Sequence, residues 1–195
     1  MAIGAYGRTA LAGLLGLALG ACGGGSSGGS PGGGSQGGVR YVFITSNAMP
    51  SSNMGGLAGV DAFCATYAAA GGLGGAWKAW MSDEAVNAID RINDVGPWYL
   101  VGTTTVAAAN KLAFATTPAV MIDVTQTGAR LGSYPIGAAT GTTAAGTRSS
   151  GNTCSSWTAT TGFYAAIQMQ PAAIWQVTSG GCSSGGGNRV ICIQQ

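Results

Sequence analysis

Few residues in this chain can do chemistry, and histidine is absent from all 195 positions. Without an imidazole, a Ser-His-Asp or Cys-His catalytic arrangement is impossible. Four carboxylates lie close together in sequence, at Asp83, Glu84, Asp90 and Asp94. Such a group could serve a glycoside hydrolase, and Asp90, Asn93 and Asp94 could offer oxygen ligands to calcium. A solvated helix face with a capping acid explains the same residues, and their spacing matches no calcium loop.

Tryptophans are the second group of candidates, because large aromatic rings can stack on the apolar faces of sugars. The chain has five of them, at Trp77, Trp80, Trp98, Trp157 and Trp175. Most fall in strand-like segments, which favours a place in the core. If any ring is open to a ligand, we expect it to be Trp157 or Trp175, since both lie near the cysteine-rich part of the chain.

The composition argues against nucleic acid as a partner. Charged residues make up only 7% of the chain, and the formal net charge is +2. No basic patch is present to hold a phosphate backbone. The surface must therefore be covered mainly by Gly, Ser, Thr, Asn and Gln, and the sequence predicts no cofactor and no metal site.

The N-terminal stretch predicts export. Arg8 is followed by the apolar run Ala10–Leu19, which is too short to span a bilayer. The next residues, LGAC at 19–22, resemble the lipobox of bacterial lipoproteins. This resemblance implies a signal peptide over residues 1–21 and acylation of Cys22, which would anchor the chain in a membrane. The alternative is an ordinary secretory signal that happens to contain a cysteine.

Lipidation of Cys22 would also leave an even number of cysteines to form disulfides. The chain has five cysteines, and without Cys22 four remain: Cys64, Cys154, Cys182 and Cys192. An even set in an oxidising compartment predicts two disulfides, for which three connectivities exist. The alternative is a metal site, but the chain contains no CxxC spacing and no histidine.

The composition of residues 22–38 predicts a flexible tether that follows the lipid anchor in the chain. Gly23–Gly38 contains no apolar residue that could offset the cost of ordering its backbone. A Gly/Ser coil of this length spans about 20–25 Å. Gly23 is not the aspartate associated with inner-membrane retention in some Gram-negative lipoproteins, so we expect the head, residues 39–195, at the outer membrane or cell surface.

The pattern of the head indicates an α+β domain of short strands, few helices and long loops. Helices are predicted over Leu57–Ala70 and Asp83–Ile92, the second capped by Ser82. The segment Thr125–Thr153 is almost wholly small residues and predicts loops outside the core. Strands are predicted over Val39–Thr45, Ala76–Met81, Pro97–Val101, Val120–Val124, Phe163–Met169, Ile174–Val177 and Arg189–Gln195.

Six features of the head occur in a recognisable order. They are GGLAGVDAFC at 55–64, WKAWMSD at 77–83, Asp90-Arg91, CSSWT at 154–158, Trp175 and VICI at 190–193. Together they resemble a family of bacterial lipoprotein domains of unknown function, which itself resembles the endostatin domain of collagens. The pair Asp90-Arg91 could be a structural ion pair or could be solvated.

The resemblance implies a C-type-lectin-like fold with nested disulfides, Cys64–Cys192 and Cys154–Cys182. In the chain-entropy model the long bridge would stabilise by about 5 kcal/mol and the short one by about 3–4 kcal/mol. The ligands of related folds do not carry over, because the calcium-binding Glu-Pro-Asn and Trp-Asn-Asp segments and the zinc-binding histidines are absent.

The sequence thus predicts a membrane-anchored surface lipoprotein with a non-catalytic, adhesin-like head for a protein or glycan ligand. Two alternatives stay open. One is a structural envelope lipoprotein that binds copies of itself or other envelope proteins. The other is a hydrolase built on the acidic residues between 83 and 94.

Overall fold

A computed structural model describes residues 38–50, 53–171, 173–183 and 188–195. Its helices and strands all lie in the unit Gly37–Gln195. The predicted signal peptide, the lipidation site Cys22 and nearly all of the tether lie outside the described residues. Within the described ranges, no helix has both the length and the hydrophobicity that a bilayer crossing requires.

The head is an α+β domain with short elements. In chain order they are β1 (Arg40–Ile44), α1 (Gly56–Ala70), β2 (Trp77–Ala79), α2 (Ala88–Arg91), β3 (Trp98–Leu100), β4 (Val106–Ala108), α3 (Lys111–Ala115), β5 (Ile136–Ala139), α4 (Cys154–Trp157), β6 (Phe163–Gln170), β7 (Ala173–Gly181) and β8 (Ile191–Gln194).

Two sheets organise these strands. The first is mixed and has the order β2-β8-β1-β3-β4, with β1 parallel to β3 and antiparallel to β8. The second is antiparallel and has the order β5-β6-β7. Val42, Phe43 and Ile44 of β1 are all fully buried, although successive strand residues point to opposite faces. Both faces of the first sheet are therefore covered at its centre.

Helix α1 forms largely as predicted and begins one residue earlier. Its buried residues Val60, Cys64 and Ala68 repeat every four positions and make one stripe along the helix. The helix ends at Gly71, where an added Cβ would lie only 2.2 Å from the carbonyl oxygen of Gln126. Glycine is therefore required there for the close approach of a loop.

Both disulfides have the nested pairing that the family resemblance implied. Cys64 and Cys192 link α1 to β8 across 128 residues, and the Cα atoms are 5.5 Å apart. Cys154 and Cys182 link α4 to the end of β7 across 28 residues. The prediction of two disulfides with this connectivity is confirmed.

The second predicted helix is wrong in extent. The pattern predicts Asp83–Ile92, but only Ala88–Arg91 is helical. The Asp83 carboxylate accepts from the second and third backbone N–H groups that follow it, at 2.8 and 2.7 Å, and this turn replaces the first helical turns. Ser82 does act near a helix start, because its Oγ accepts from the Ala88 backbone N–H at 2.8 Å.

The structure also differs from the prediction at the expected strand Val120–Val124 and in the expected loops Thr125–Thr153. No strand forms over Val120–Val124, where Val124 makes only an isolated bridge to Arg130. The supposed loops contain β5 and several fully buried side chains, including Thr140. Small residues pack here because neighbouring groups approach closely: a Cβ added at Gly141 would lie 2.8 Å from the carbonyl oxygen of Ser82 and from the ring of Trp157. Burial therefore occurs without the large apolar residues that a sequence pattern needs.

Candidate functional site

A cleft of about 370 Å³ lies where the two sheets meet. Three segments line it: Ala48 in the loop after β1, residues 131–137 leading into β5, and Asn188–Arg189 before β8. These segments are brought together by an antiparallel bridge between Met49 and Asn188 and a parallel bridge between Ala138 and Arg189. The site is thus assembled from distant parts of the chain.

Arg189 is the charged side chain that lines this cleft among the described residues. Its Nη1 donates to the backbone carbonyl of Thr45 at 2.6 Å and also to that of Ser46. No atom of the described residues accepts from its Nε or Nη2. Because a guanidinium has five N–H donors in a rigid fork, these remaining donors are held in place and are available to a ligand.

The loop that holds Arg189 is itself fixed. The buried side chain of Gln126 donates to Ser46 Oγ at 2.9 Å and accepts from the Ser46 backbone N–H at 3.1 Å. Thr45 Oγ1 accepts from the Val190 backbone N–H at 3.1 Å. The carbonyls that bind the guanidinium therefore belong to a loop with little freedom to move.

Tyr164 supports the cleft from behind. Asn188, which lines the cleft, donates its side-chain N–H to the Tyr164 hydroxyl. The tyrosine is 5% exposed and lies over Gly180 of the neighbouring strand. A Cβ added at Gly180 would lie 2.2 Å from the Tyr164 hydroxyl oxygen, so glycine is needed for this packing.

Asp123 braces the wall of the cleft. Its carboxylate is 2% exposed and accepts from Arg130 Nη1 at 2.5 Å and from the Tyr134 hydroxyl at 3.1 Å. The Leu131 backbone N–H donates to the Asp123 carbonyl at 2.8 Å. These contacts fix the hairpin that leads into residues 131–137. The sequence held one signal of this role, a single acid inside the apolar run 120–124.

The environment of Tyr134 clearly perturbs its pKa. Partial burial first, and then the hydrogen bond and negative charge of Asp123, raise the pKa of Tyr134 above its usual 10.0, although Arg130 opposes the shift. Tyr134 is therefore a neutral hydrogen-bond donor at physiological pH. Its ring is 43% exposed beside the cleft.

The two tryptophans predicted to face a ligand have different environments. Trp157 is fully buried, and its Nε1 donates to the Ser82 carbonyl at 2.8 Å. The prediction that its ring is open to a ligand is therefore wrong, and its ring instead packs near Tyr164 at a centroid distance of 6.2 Å. Trp175 lies on β7, partly exposed and packed against the core, and its role in binding stays a prediction.

The position of Trp157 follows from the unusual backbone of α4. Residues Cys154, Ser155, Ser156 and Trp157 all have positive φ, between 49° and 66°, so this turn is left-handed. L-residues adopt that conformation one at a time, at a cost of about 1–2 kcal/mol each. The Cys154–Cys182 bridge and the bond from the Met54 N–H to the Trp157 carbonyl at 2.8 Å hold the turn and direct the indole inward.

The four carboxylates that suggested a hydrolase or a calcium site act on separate turns. Asp83 caps its own turn, and Glu84 accepts from Thr153 Oγ1. Asp90 accepts from a neighbouring asparagine side chain at 2.7 Å, and Asp94 accepts from the first backbone N–H of α3 at 2.8 Å. Across the described residues, no three His, Cys, Asp or Glu side chains cluster so that they could hold a metal ion.

Arg91 does not pair with the adjacent Asp90. Its Nη2 donates to both carboxylate oxygens of Asp61 in α1, at 2.7 and 2.6 Å. The Arg91 side chain is 8% exposed, so this is a largely buried ion pair. Asp61, which the sequence places in the first turns of a helix, thus links α1 to α2.

Comparison with protein-family models and with curated proteins finds no match to this chain. The family resemblance of the head therefore stays a prediction, and function must be argued from the cleft.

Proposed function

We propose that this protein is a surface lipoprotein, anchored in a membrane through Cys22, whose C-type-lectin-like head binds a protein or glycan ligand without catalysing a reaction. The α+β architecture with two nested disulfides supports the fold assignment. The lipobox resemblance at residues 19–22 supports the anchor.

The observation that carries the binding function is the cleft beside Arg189. Its volume of about 370 Å³ falls at the lower end of the range of about 300–1,000 Å³ for ligand pockets. It therefore suits one sugar ring or one peptide residue. Its lining combines fixed Arg189 donors with the Asn188 side chain and the Ser133 hydroxyl, which are groups that orient a polar ligand.

The charge of the residues that line the cleft restricts the chemical class of the ligand. Arg189 lines it, whereas the carboxylate of Asp123, which braces the wall of the cleft, is already bonded to Arg130 and Tyr134. An arginine with free donors recognises carboxylates with good geometry. We therefore expect the bound group to carry a carboxylate, as in an acidic sugar or a peptide carboxyl terminus.

Filling the cleft tests this proposal. An added side chain at Gly132 meets nothing within 4 Å at its Cβ, so Gly132→Leu should fold and occupy the cleft. The matched control is Gly74→Leu, which also meets nothing within 4 Å but lies away from the cleft. The full chain, purified in a mild detergent, would be applied to arrays of acidic glycans and peptides, with calcium and with chelator.

We expect binding that survives the chelator, is weakened about tenfold or more by Gly132→Leu, and is unchanged by Gly74→Leu. If Gly132→Leu leaves binding unchanged, the ligand binds outside the cleft, and Trp175 is the next residue to replace. Loss of binding in chelator would show that the acidic residues hold a metal. No binding on any array would contradict the proposal.

A further inference from the structure

A second cleft, of about 270 Å³, lies beside the start of β1, and we call it the β1 cleft. Residues 38–40 line it together with residues 95–97 and Tyr99. These segments meet because β1 and β3 pair in parallel, with Arg40 opposite Trp98. The β1 cleft shares no lining residue with the cleft beside Arg189, so the two are separate candidate sites.

Arg40 is the charged residue that lines the β1 cleft. Its Nη1 donates to the Gly38 carbonyl at 3.3 Å, which is a long hydrogen bond. Its Nε is buried and has no acceptor in the described part of the chain, and no described carboxylate forms an ion pair with the guanidinium. A charged donor without an acceptor in a buried position costs free energy. An anionic oxygen that reaches this guanidinium would therefore be bound favourably.

The wall of the β1 cleft at residues 95–97 is held in place by packing. A Cβ added at Gly96 would lie 2.7 Å from the ring of Trp98 and 2.8 Å from the carbonyl oxygen of Ala109. Trp98 is fully buried, and its Nε1 donates to the Gln194 carbonyl at 2.7 Å. The shape of the β1 cleft is thus set by the core, which lowers the cost of ordering it around a ligand.

The rim of the β1 cleft is apolar. Val39 is 54% exposed and Val95 is 38% exposed, and both line the cleft. Tyr99 is half-buried, and its hydroxyl makes no hydrogen bond with any described residue. Exposed apolar side chains beside an arginine and a tyrosine suit the boundary between lipid and water, where one end of a site is apolar and the other polar.

We propose that the β1 cleft binds a phosphate group, with Arg40 binding the phosphate oxygens and Tyr99 donating a further hydrogen bond. The planar fork of an arginine matches two oxygens of a phosphate. The phosphate has two possible sources, the headgroup of an anionic phospholipid and free phosphate. The exposed valines favour the phospholipid over a small carboxylate, because they offer a surface for the apolar part of a lipid.

The lipid source rests on the proposed anchor at Cys22, whereas phosphate binding itself does not. Gly38 and Val39 follow the predicted tether directly in the chain. A Gly/Ser coil of this length spans about 20–25 Å, so an anchored Cys22 would hold the β1 cleft close to the membrane surface. Failure of the ligand proposed for the cleft beside Arg189 would leave this inference intact, since the two clefts share no residue.

The test titrates the full chain in micelles of an uncharged detergent at constant ionic strength. One arm adds inorganic phosphate, and the other adds phosphatidylglycerol with short acyl chains. Calorimetry measures the affinity, and the NMR signal of the Arg40 Nε–H, identified by its absence from Arg40→Gln, reports the place of binding. Arg148→Gln is the matched control, because Arg148 is exposed, lies outside the β1 cleft and loses the same charge.

We expect the ligand to shift the Arg40 Nε–H signal. Arg40→Gln should weaken binding at least about fivefold, and Arg148→Gln should leave it unchanged. A second variant, Val95→Glu, places a negative charge at the rim and should weaken binding similarly. Its control is Val86→Glu, since Val86 is 39% exposed and lies in a turn outside the β1 cleft. If circular dichroism shows that Arg40→Gln is misfolded, the comparison of the two glutamate variants decides.

The two arms separate the sources of the phosphate. Site-specific binding of phosphatidylglycerol supports the lipid headgroup, and site-specific binding of inorganic phosphate alone supports free phosphate. Three results would overturn the proposal. They are no binding in either arm, binding that Arg148→Gln weakens as much as Arg40→Gln does, and binding that leaves the Arg40 Nε–H signal unshifted.

Discussion

Replacing Asp61 by alanine should lower the free energy of unfolding of the head by about 3 kcal/mol. The substitution removes both carboxylate oxygens that bind Arg91 Nη2, at 2.7 and 2.6 Å. Arg91 cannot turn towards water, because its Nη1 is held by the carbonyls of Ala79 at 3.0 Å and Met81 at 2.9 Å. A guanidinium that is 8% exposed would then lack its counter-ion.

The magnitude follows from the burial of the two partners. Removing one partner of a buried ion pair costs about 3–5 kcal/mol. The Asp61 side chain is 26% exposed, so water can reach the vacated site and the lower end applies. The lost acceptor for the Ala79 backbone N–H, at 2.9 Å, is part of that cost. A loss of this size is a large share of the total of about 5–15 kcal/mol for a domain.

The assay is chemical unfolding of the disulfide-intact chain, followed by tryptophan fluorescence. Asp61→Ala, Arg91→Ala and the double variant form a cycle whose coupling energy should be at least about 1 kcal/mol. Asp90→Ala is the control, since Asp90 is exposed and should change stability by less than about 0.5 kcal/mol. Equal effects of Asp61→Ala and Asp90→Ala, or additivity within the cycle, would refute this account of the pair.

Replacing Cys154 and Cys182 together by alanine should lower the free energy of unfolding by about 3–4 kcal/mol, because the bridge spans 28 residues and holds the left-handed α4. Urea unfolding measures the loss, and near-ultraviolet circular dichroism should report a changed tryptophan environment. Gly180→Ala should displace the ring of Tyr164, whose hydroxyl oxygen would lie 2.2 Å from the new Cβ, and should weaken ligand binding at the cleft. Because the folded pKa of Tyr134 is raised above 10.0, its stabilising contribution is present below about pH 10 and is lost as pH rises through the folded value. Comparing the absorbance titration and the stability of the parent with those of Tyr134→Phe measures this effect.

Each of these outcomes has a control. Gly74→Ala meets nothing within 4 Å and should leave both stability and binding unchanged, unlike Gly180→Ala. If the variant that lacks Cys154 and Cys182 has the same free energy of unfolding as the parent, other contacts suffice to hold the turn. A Tyr134→Phe variant with the same alkaline unfolding profile as the parent would contradict the assigned role of the hydroxyl.

Local elements with a strong periodic signal could be predicted from the sequence. Helix α1 has apolar residues at helical spacing and a terminal Gly71, and β1 is a run of β-branched and aromatic residues. The prediction failed where side chains compete with regular structure. At Asp83 a carboxylate bonded to nearby backbone N–H groups, which favoured a turn over the predicted helix.

The candidate site could be predicted only in part. Arg189 begins the predicted last strand and Asn188 precedes it, but no local pattern indicates that they meet Ala48 and residues 131–137. Trp157 was chosen for its place near the cysteines, yet the left-handed turn at α4 directs its ring inward. That direction depends on a bridge to Cys182 and on contacts from other segments.

By itself the sequence determined the α+β class, the cysteine count and the low charge of this protein. These properties depend on residue type and on spacing within one element. Only the tertiary structure decided which carboxylate Arg91 binds, that Trp157 is buried, and where a cleft lies. The physical reason is that such features arise from contacts between residues far apart in the chain, whose energies no local pattern contains.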